Sequence, residues 1–149
     1  MKKRLFGTDG IRSLSNDEIF NNISLNTLAR SVLNNNKKLR IVIGRDTRES
    51  SKEIENNFIN ALKNNGATIF KVGLLSTPAI SYLTKKLNCG LGIVISASHN
   101  PYQFNGIKFF NKNGEKLSNS EESKIEKNFF KLIKKKSKDK NNGKIQIIK

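Results

Sequence analysis

The chain has 149 residues, about one domain's length, and its 36% apolar content is enough for one sizeable core. That composition excludes a fibrous protein and disorder throughout. Twenty-eight Lys and Arg against 12 Asp and Glu leave a net charge of +16, which raises the question of nucleic acid. Only 6 of those cations are Arg, however, and a phosphate binder draws on the bidentate guanidinium fork. Lys (22), Asn (21) and Ile (17) make up 60 of the 149 residues, the mark of an AT-rich coding sequence. The charge is therefore read as compositional, with no specific nucleic-acid partner. A lone Cys89 cannot form an internal disulfide and reads as a core thiol. Met1-Lys2-Lys3-Arg4 runs into Gly7-Thr8-Asp9-Gly10 rather than an apolar stretch, and no run approaches 18 apolar residues. The expectation is a cytoplasmic protein with no membrane partner.

In chain order, Ile23, Thr27, Leu28 and Val32 share one face of a first helix. Leu39 to Ile43 is a short apolar run without polar alternation, the pattern of a strand buried on both faces. Ser50 and Glu53 have capping-box spacing ahead of Ile54, Phe58, Ile59 and Leu62, and Asn64-Asn65-Gly66 ends that helix. Ala67 to Val72 reads as a second buried strand. Thr77-Pro78 supplies a capping hydroxyl and then Pro at the first helical position, with Ile80, Leu83 and Leu87 as the inner stripe. Gly90 to Ile95 is a third strand. Ile107 to Phe110 follows after only the loop 96–106, too short for a parallel return, so it is expected antiparallel at an edge. Ser118 and Glu121 repeat the capping box before Ile125, Phe129, Leu132 and Ile133. Lys134-Lys135-Lys136 reads as a solvated helix end or linker, and Ile145 to Ile148 as a possible terminal strand. Strands alternating with helices predict an α/β fold: a three-layer α/β/α domain with a mixed, mostly parallel sheet of about four strands.

Four clusters carry chemistry. Ser96-Ala97-Ser98-His99-Asn100-Pro101 gathers two hydroxyls, an imidazole and an amide just past a strand's C-terminal end, where open α/β sheets place ligands. Read blandly, it is a Ser/Asn turn between strands. In Phe6-Gly7-Thr8-Asp9-Gly10-Ile11-Arg12, two glycines let backbone approach an anion and Arg12 offers a fork for phosphate. The plain alternative is an Asp-Gly turn. In Asn105-Gly106-Ile107-Lys108, Lys108 faces away from Ile107 and Phe109; turned to the Ser98 loop, it could exchange protons with a substrate hydroxyl, and otherwise it is a solvated Lys. Gly44-Arg45-Asp46-Thr47-Arg48 is either an anion loop or an Arg–Asp turn leading into a helix.

With FGTDGIR at 6–12, GRDTR at 44–48, STPA at 76–79 and GIVISASHNPYQFNGIKFF at 92–110, the chain resembles the first domain of the α-D-phosphohexomutases over essentially its whole length. Within that family, Thr8-Asp9 and Ile95-Ser96-Ala97 are similar to the bacterial phosphoglucosamine mutases rather than to phosphomannomutases or phosphoglucomutases. The family's later metal, sugar and phosphate loops are absent, so the expectation is domain I alone, as a truncation, a split gene or a relic. Ser13 stands where the family usually has Gly; if that position needs φ > 0, Ser there is strained by about 1 kcal/mol.

The resemblance implies an isomerase. It makes Ser98 a phosphoserine that gives its phosphoryl group to glucosamine 6-phosphate and takes one back from the 1,6-bisphosphate, leaving glucosamine 1-phosphate for amino-sugar biosynthesis. Lys108 matches the general acid/base. Arg12 and His99 would steady the transferring group, with Thr8, Asp9, Gly10 and Asn100 shaping the phosphate and substrate site. Mg²⁺ would bind the Ser98 phosphate, its carboxylates coming from outside this chain, and hexose 1,6-bisphosphate would act as activator. The implied partners are the phosphosugar and the missing domains on another chain. The rival readings are a phosphomannomutase or phosphoglucomutase fragment, and a non-catalytic phosphate-binding module.

Overall fold

The computed structural model describes residues 4–142, with side chains through residue 135. Its one sheet has five strands: β1 (Ile11–Leu14), β2 (Arg40–Arg45), β3 (Thr68–Leu74), β4 (Leu91–Ile95) and β5 (Phe104–Asn111), in the order β1-β5-β4-β2-β3. β2 runs parallel to β3 and β4, while β5 is antiparallel to both β4 and β1. The antiparallel return after the Ser98 loop is as expected, but its place at the edge is not. β5 lies inside the sheet and the edges are β1, which makes five strands rather than about four, and β3, which is half-buried rather than covered on both faces as read. Ile-Arg-Ser-Leu has no apolar run to announce a strand. It becomes one because β5 offers a free ladder, pairing Ile11 with Ile107 and Leu14 with Phe104.

Four α-helices cover the sheet: α1 (Asn22–Leu33), α2 (Glu49–Asn64), α3 (Thr77–Lys86) and α4 (Asn119–Asn142). Strand alternation divides the core in two. Ile41, Ile43, Ile93, Ile95, Ile107 and Phe109 pack with Leu28, Phe58, Leu62 and Phe129 from α1, α2 and α4. Val42 and Val94 on the other face meet Ile80 and Cys89, with Leu83, Leu87 and Phe70 around them. Burying a side chain such as Leu28 or Leu62 completely contributes about 1.5–3 kcal/mol. Cys89 is the buried core thiol expected.

Several local details differ from the sequence reading. α1 packs against both α2 and α4, so its buried side is turned toward Leu25, Leu28 and Ala29, and Ile23 is 59% exposed. α2 begins at Glu49, one residue before the expected Ser50 cap, and Arg48 stands at its N-cap without a side-chain cap bond. Ser76, not Thr77, caps α3, accepting from Ala79 N at 3.3 Å. The second capping box forms as read: Ser118 N donates to Glu121 Oε2 at 2.7 Å, and Glu121 N donates to Ser118 Oγ at 3.1 Å. α4 continues through Lys134-Lys135-Lys136 to Asn142, while the possible strand Ile145–Ile148 lies outside the described residues. Ser13 has no left-handed backbone. It is an ordinary β1 residue opposite Asn105, so the strain considered there does not arise.

Candidate functional site

β2, β4 and β5 bring the site together at one end of the sheet. β4 ends at Ile95, and Ser96 N donates to Gly106 O at 3.0 Å, closing the neck of a loop that returns into β5. Gly106 permits that closure. A methyl group there would stand 2.6 Å from Ile11 O and 2.7 Å from Ser96 O, too close for any side chain. Two residues beyond it, Lys108 lies on the opposite side of β5 from the buried Ile107 and Phe109, as the alternation requires.

Ser98, at the exposed tip of the loop, holds a left-handed backbone with φ +53. For a residue with a Cβ this costs on the order of 1–2 kcal/mol. Lys108 Nζ donates to Ser98 Oγ at 2.5 Å, and Ser98 N donates to Ser96 Oγ at 3.1 Å. Arg12, on β1, reaches the same loop through Asn100 Oδ1 at 3.4 Å. The structure thus joins Ser98, Lys108, Arg12 and Asn100 across three separate stretches of sequence. His99 is exposed, and no described residue hydrogen-bonds its ring.

The Gly7-Thr8-Asp9-Gly10 segment is a tight turn closed by Gly7 N donating to Gly10 O at 2.8 Å. Gly10 has φ +84 and lies against the backbone of Ile107. The plain expectation for this segment holds, since it is a turn, and the turn sets Asp9 4.0 Å from Arg12 Nη2. Lys116, which the sequence reading did not single out, donates to Thr8 O and lies 4.0 Å from Asp9. Asp9, Lys108, Lys116 and Glu122 line a cavity of ≈ 190 Å³ together with Phe6, Phe109 and Phe110.

The electrostatics suit proton exchange at Lys108. Burial lowers its pKa below the usual 10.5, Arg12 and Lys116 lower it further, and Asp9 and Asp46 oppose them without winning. An amine easier to deprotonate than an exposed Lys, seated on a serine hydroxyl, is able to take and return a proton there.

The Gly44–Arg48 segment resolves into a support for the loop rather than an anion site. Asp46 accepts from Arg48 N at 3.0 Å, Ser51 Oγ at 2.6 Å and Arg48 Nε at 3.1 Å. Burial pushes the Asp46 carboxyl up, but these bonds and one from Ser96 outweigh it and hold the pKa below 3.8. The fully buried Asn105 donates to Ser50 Oγ and Ser51 Oγ, tying the start of β5 to α2. Behind them, Arg45 Nε lies 2.8 Å from Glu55 Oε2, with Glu55 wholly buried. At that distance the guanidinium and the carboxylate form a close buried ion pair. Burial raises the pKa of Glu55 despite Lys71 and Arg45. Arg48 stood in a cluster the sequence singles out, but its buried role and that of Glu55 were illegible in advance, because charged residues are ordinarily solvated and no periodicity marks those that are not.

Among the described residues, no three His, Cys, Asp or Glu gather where they could hold a metal ion. Asp46 is taken up by Arg48 and Ser51. The described residues thus offer no carboxylate set for the Mg²⁺ implied by resemblance, and the chemistry below rests on the chain's own groups. Among the described residues no helix is long and apolar enough to cross a membrane.

Residues 3–136 match the family model for phosphoglucomutase/phosphomannomutase, alpha/beta/alpha domain I. The chain is 42% identical over 128 residues to a phosphoglucosamine mutase of Clostridioides difficile, covering 83% of this chain and 28% of that protein. It is 44% identical over 129 residues to a phosphoglucosamine mutase of Deinococcus deserti, covering 84% and 29%. A solved structure of the Paramecium phosphoprotein parafusin, a phosphoglucomutase, superposes with TM-score 0.75 at 26% identity, over 88% of this chain and 26% of that one. The chain therefore spans less than a third of the length of these relatives.

Proposed function

The chain belongs to the phosphoglucomutase/phosphomannomutase family as its α/β/α domain I, and from that membership we propose that it carries the transferable phosphoryl group of a phosphohexose mutase on Ser98. The observation that carries this reading is Lys108 Nζ against Ser98 Oγ at the C-terminal end of a buried strand. A hydroxyl there is exposed to an incoming sugar phosphate and has an amine able to give and take a proton already in contact.

The reaction we infer converts glucosamine 6-phosphate into glucosamine 1-phosphate, the sugar being taken from the names of the curated relatives. The bond from Ser98 Oγ to phosphorus breaks as O1 of the sugar forms its own; Lys108 Nζ gives a proton to the departing Ser98 Oγ and takes the one O1 sheds. The 1,6-bisphosphate then turns round. Ser98 Oγ takes the 6-phosphoryl group, its hydroxyl proton passing through Lys108 Nζ to the departing O6. Arg12 stabilises charge on the transferring oxygens; transfer of this kind depends on positioning and charge stabilisation more than on covalent help. Asn100 holds Arg12 toward the loop, and the Gly7–Gly10 turn with Asp9 and Lys116 forms the neighbouring wall. The three cations Arg12, Lys108 and Lys116 leave a phosphoserine's charge of nearly −2 incompletely enclosed in so open a cleft.

Turnover therefore requires the remainder of a mutase, and the chain by itself is expected to show none. The test is conversion of glucosamine 6-phosphate with Mg²⁺ and catalytic hexose 1,6-bisphosphate, by this chain alone and with separately made remaining domains. Mass spectrometry of the Ser98 peptide reads the phosphoryl group directly. Complementation with phosphate on Ser98, lost in Ser98→Ala, supports the reading. Absence of phosphate on Ser98 in the complemented mixture refutes it.

A further inference from the structure

The Arg48 side chain is 10% exposed and spends all five of its N–H donors inside the protein. Nε donates to Asp46 Oδ2 at 3.1 Å. Nη1 donates to Pro101 O at 2.7 Å and Phe104 O at 3.1 Å. Nη2 donates to Ser98 O at 3.1 Å and Asn100 O at 2.7 Å. Four carbonyls of a single loop thus converge on one guanidinium, whose orientation Asp46 fixes from beneath. The same carboxylate engages Ser96, whose Oγ accepts from Ser98 N. Ser98 is held on both sides of its peptide plane: its carbonyl is drawn inward to Arg48, its Oγ faces Lys108, and between them φ is left-handed. The side chain of Ser98 itself disfavours that conformation, since a residue with a Cβ avoids it.

The geometry points to Arg48 as the positioning residue of the site: it locks the loop 96–104 so that Ser98 stays left-handed with its Oγ against Lys108. A second consequence concerns charge. Carbonyl oxygens gathered inward cannot face a phosphoryl group on Ser98 Oγ, so the anion meets cations rather than loop dipoles. The role belongs to a planar fork. Lys carries only three donors and cannot reach acceptors on both sides of a plane, so Arg48→Lys is not a conservative change. The importance of this lock for catalysis rests on the mutase reading, whereas the lock itself can be measured without it.

The experiment compares the isotopically labelled 149-residue chain with Arg48→Lys and Arg48→Gln. Backbone shifts and the amide-to-α-proton coupling report φ at Ser98, and hydrogen exchange reports the amides of Ser98, Asn100 and Phe104. Both variants are expected to lose the left-handed signature and to exchange those three amides at least tenfold faster. Amides of β2 and β4 should stay within about twofold, and Lys108 should titrate closer to an exposed Lys. Retention of the Ser98 signature in Arg48→Lys, or acceleration spread equally over β2 and β4, overturns the assignment. Should neither variant fold, Asp46→Asn decides, because it keeps the fork but loosens its orientation. Faster exchange confined to 96–104 then supports the lock, and unchanged exchange overturns it. A chain that never takes phosphate on Ser98 refutes the mutase reading without touching these results.

Discussion

Gly106→Ala tests the packing that sets the Ser98 loop beside Lys108. The new methyl would stand 2.6 Å from Ile11 O and 2.7 Å from Ser96 O, and both are backbone atoms. Neither swings aside as a side-chain tip could. Ile11 is paired with Ile107 in the β1–β5 ladder, and Ser96 N is bonded to Gly106 O. Relief demands that β1 or the loop neck move by several tenths of an ångström. Overpacking costs about 1–3 kcal/mol, and with two backbone obstacles the upper end, about 3 kcal/mol, applies. Gly73→Ala is the control. Gly73 has φ +69 but nothing within 4 Å of a new methyl, so it reports handedness alone. That costs about 1–2 kcal/mol, offset by about 0.4–1 kcal/mol from a stiffer unfolded chain. That gain is common to both variants and cancels, so urea unfolding of the three proteins should place Gly106→Ala about 1.5 kcal/mol below Gly73→Ala, roughly 0.7 M in midpoint at a typical slope. A Gly106→Ala midpoint at or above that of Gly73→Ala would refute the argument from close approach.

Three further outcomes are expected. The ε-carbon of Lys108 should titrate below 10.5, because burial lowers its pKa; relative to Lys108→Met, stability should rise with pH between that folded value and 10.5, where only the unfolded chain binds the proton. A titration at or above 10.5 contradicts the site's electrostatics. Asp46, held below 3.8, contributes stability that is complete above that value and lost as pH falls through its folded pKa; the deficit of Asp46→Asn measured by acid unfolding should therefore be largest near neutrality and shrink at low pH. Ser118→Ala removes the hydroxyl that accepts from Glu121 N, and thermal unfolding should register a loss of about 1 kcal/mol.

Much of the fold was legible in the chain. Runs such as Leu39 to Ile43 and Gly90 to Ile95 lack polar alternation because both faces of those strands are buried, and that burial leaves its mark on composition. α2 announced itself through Ile54, Phe58 and Leu62 and ended at Asn65 and Gly66 as read, since a helix stripe and a left-handed stop are local properties. The capping box at Ser118 is local too. The Ser98 loop and the alternation of Lys108 with Ile107 and Phe109 were likewise in view, because a strand's two faces follow from its period of two.

Other features were settled by tertiary structure. β1 has no periodic pattern and exists because β5 needs a partner, which also moved β5 from the edge to the interior. The buried side of α1 turned toward Leu25 and Ala29 because α2 and α4 both press on it. The bond from Lys108 to Ser98 depends on how β4 and β5 register, and that register is fixed by hydrogen bonds between distant residues. Arg48 and Glu55 show the limit most plainly. A charged side chain looks alike in sequence whether water or protein takes up its donors, and only the folded chain brought four loop carbonyls to Arg48 and Arg45 to Glu55. Periodicity reports which way a residue faces within its own element, whereas the acceptors that satisfy a buried charge come from elsewhere in the chain and carry no local signal.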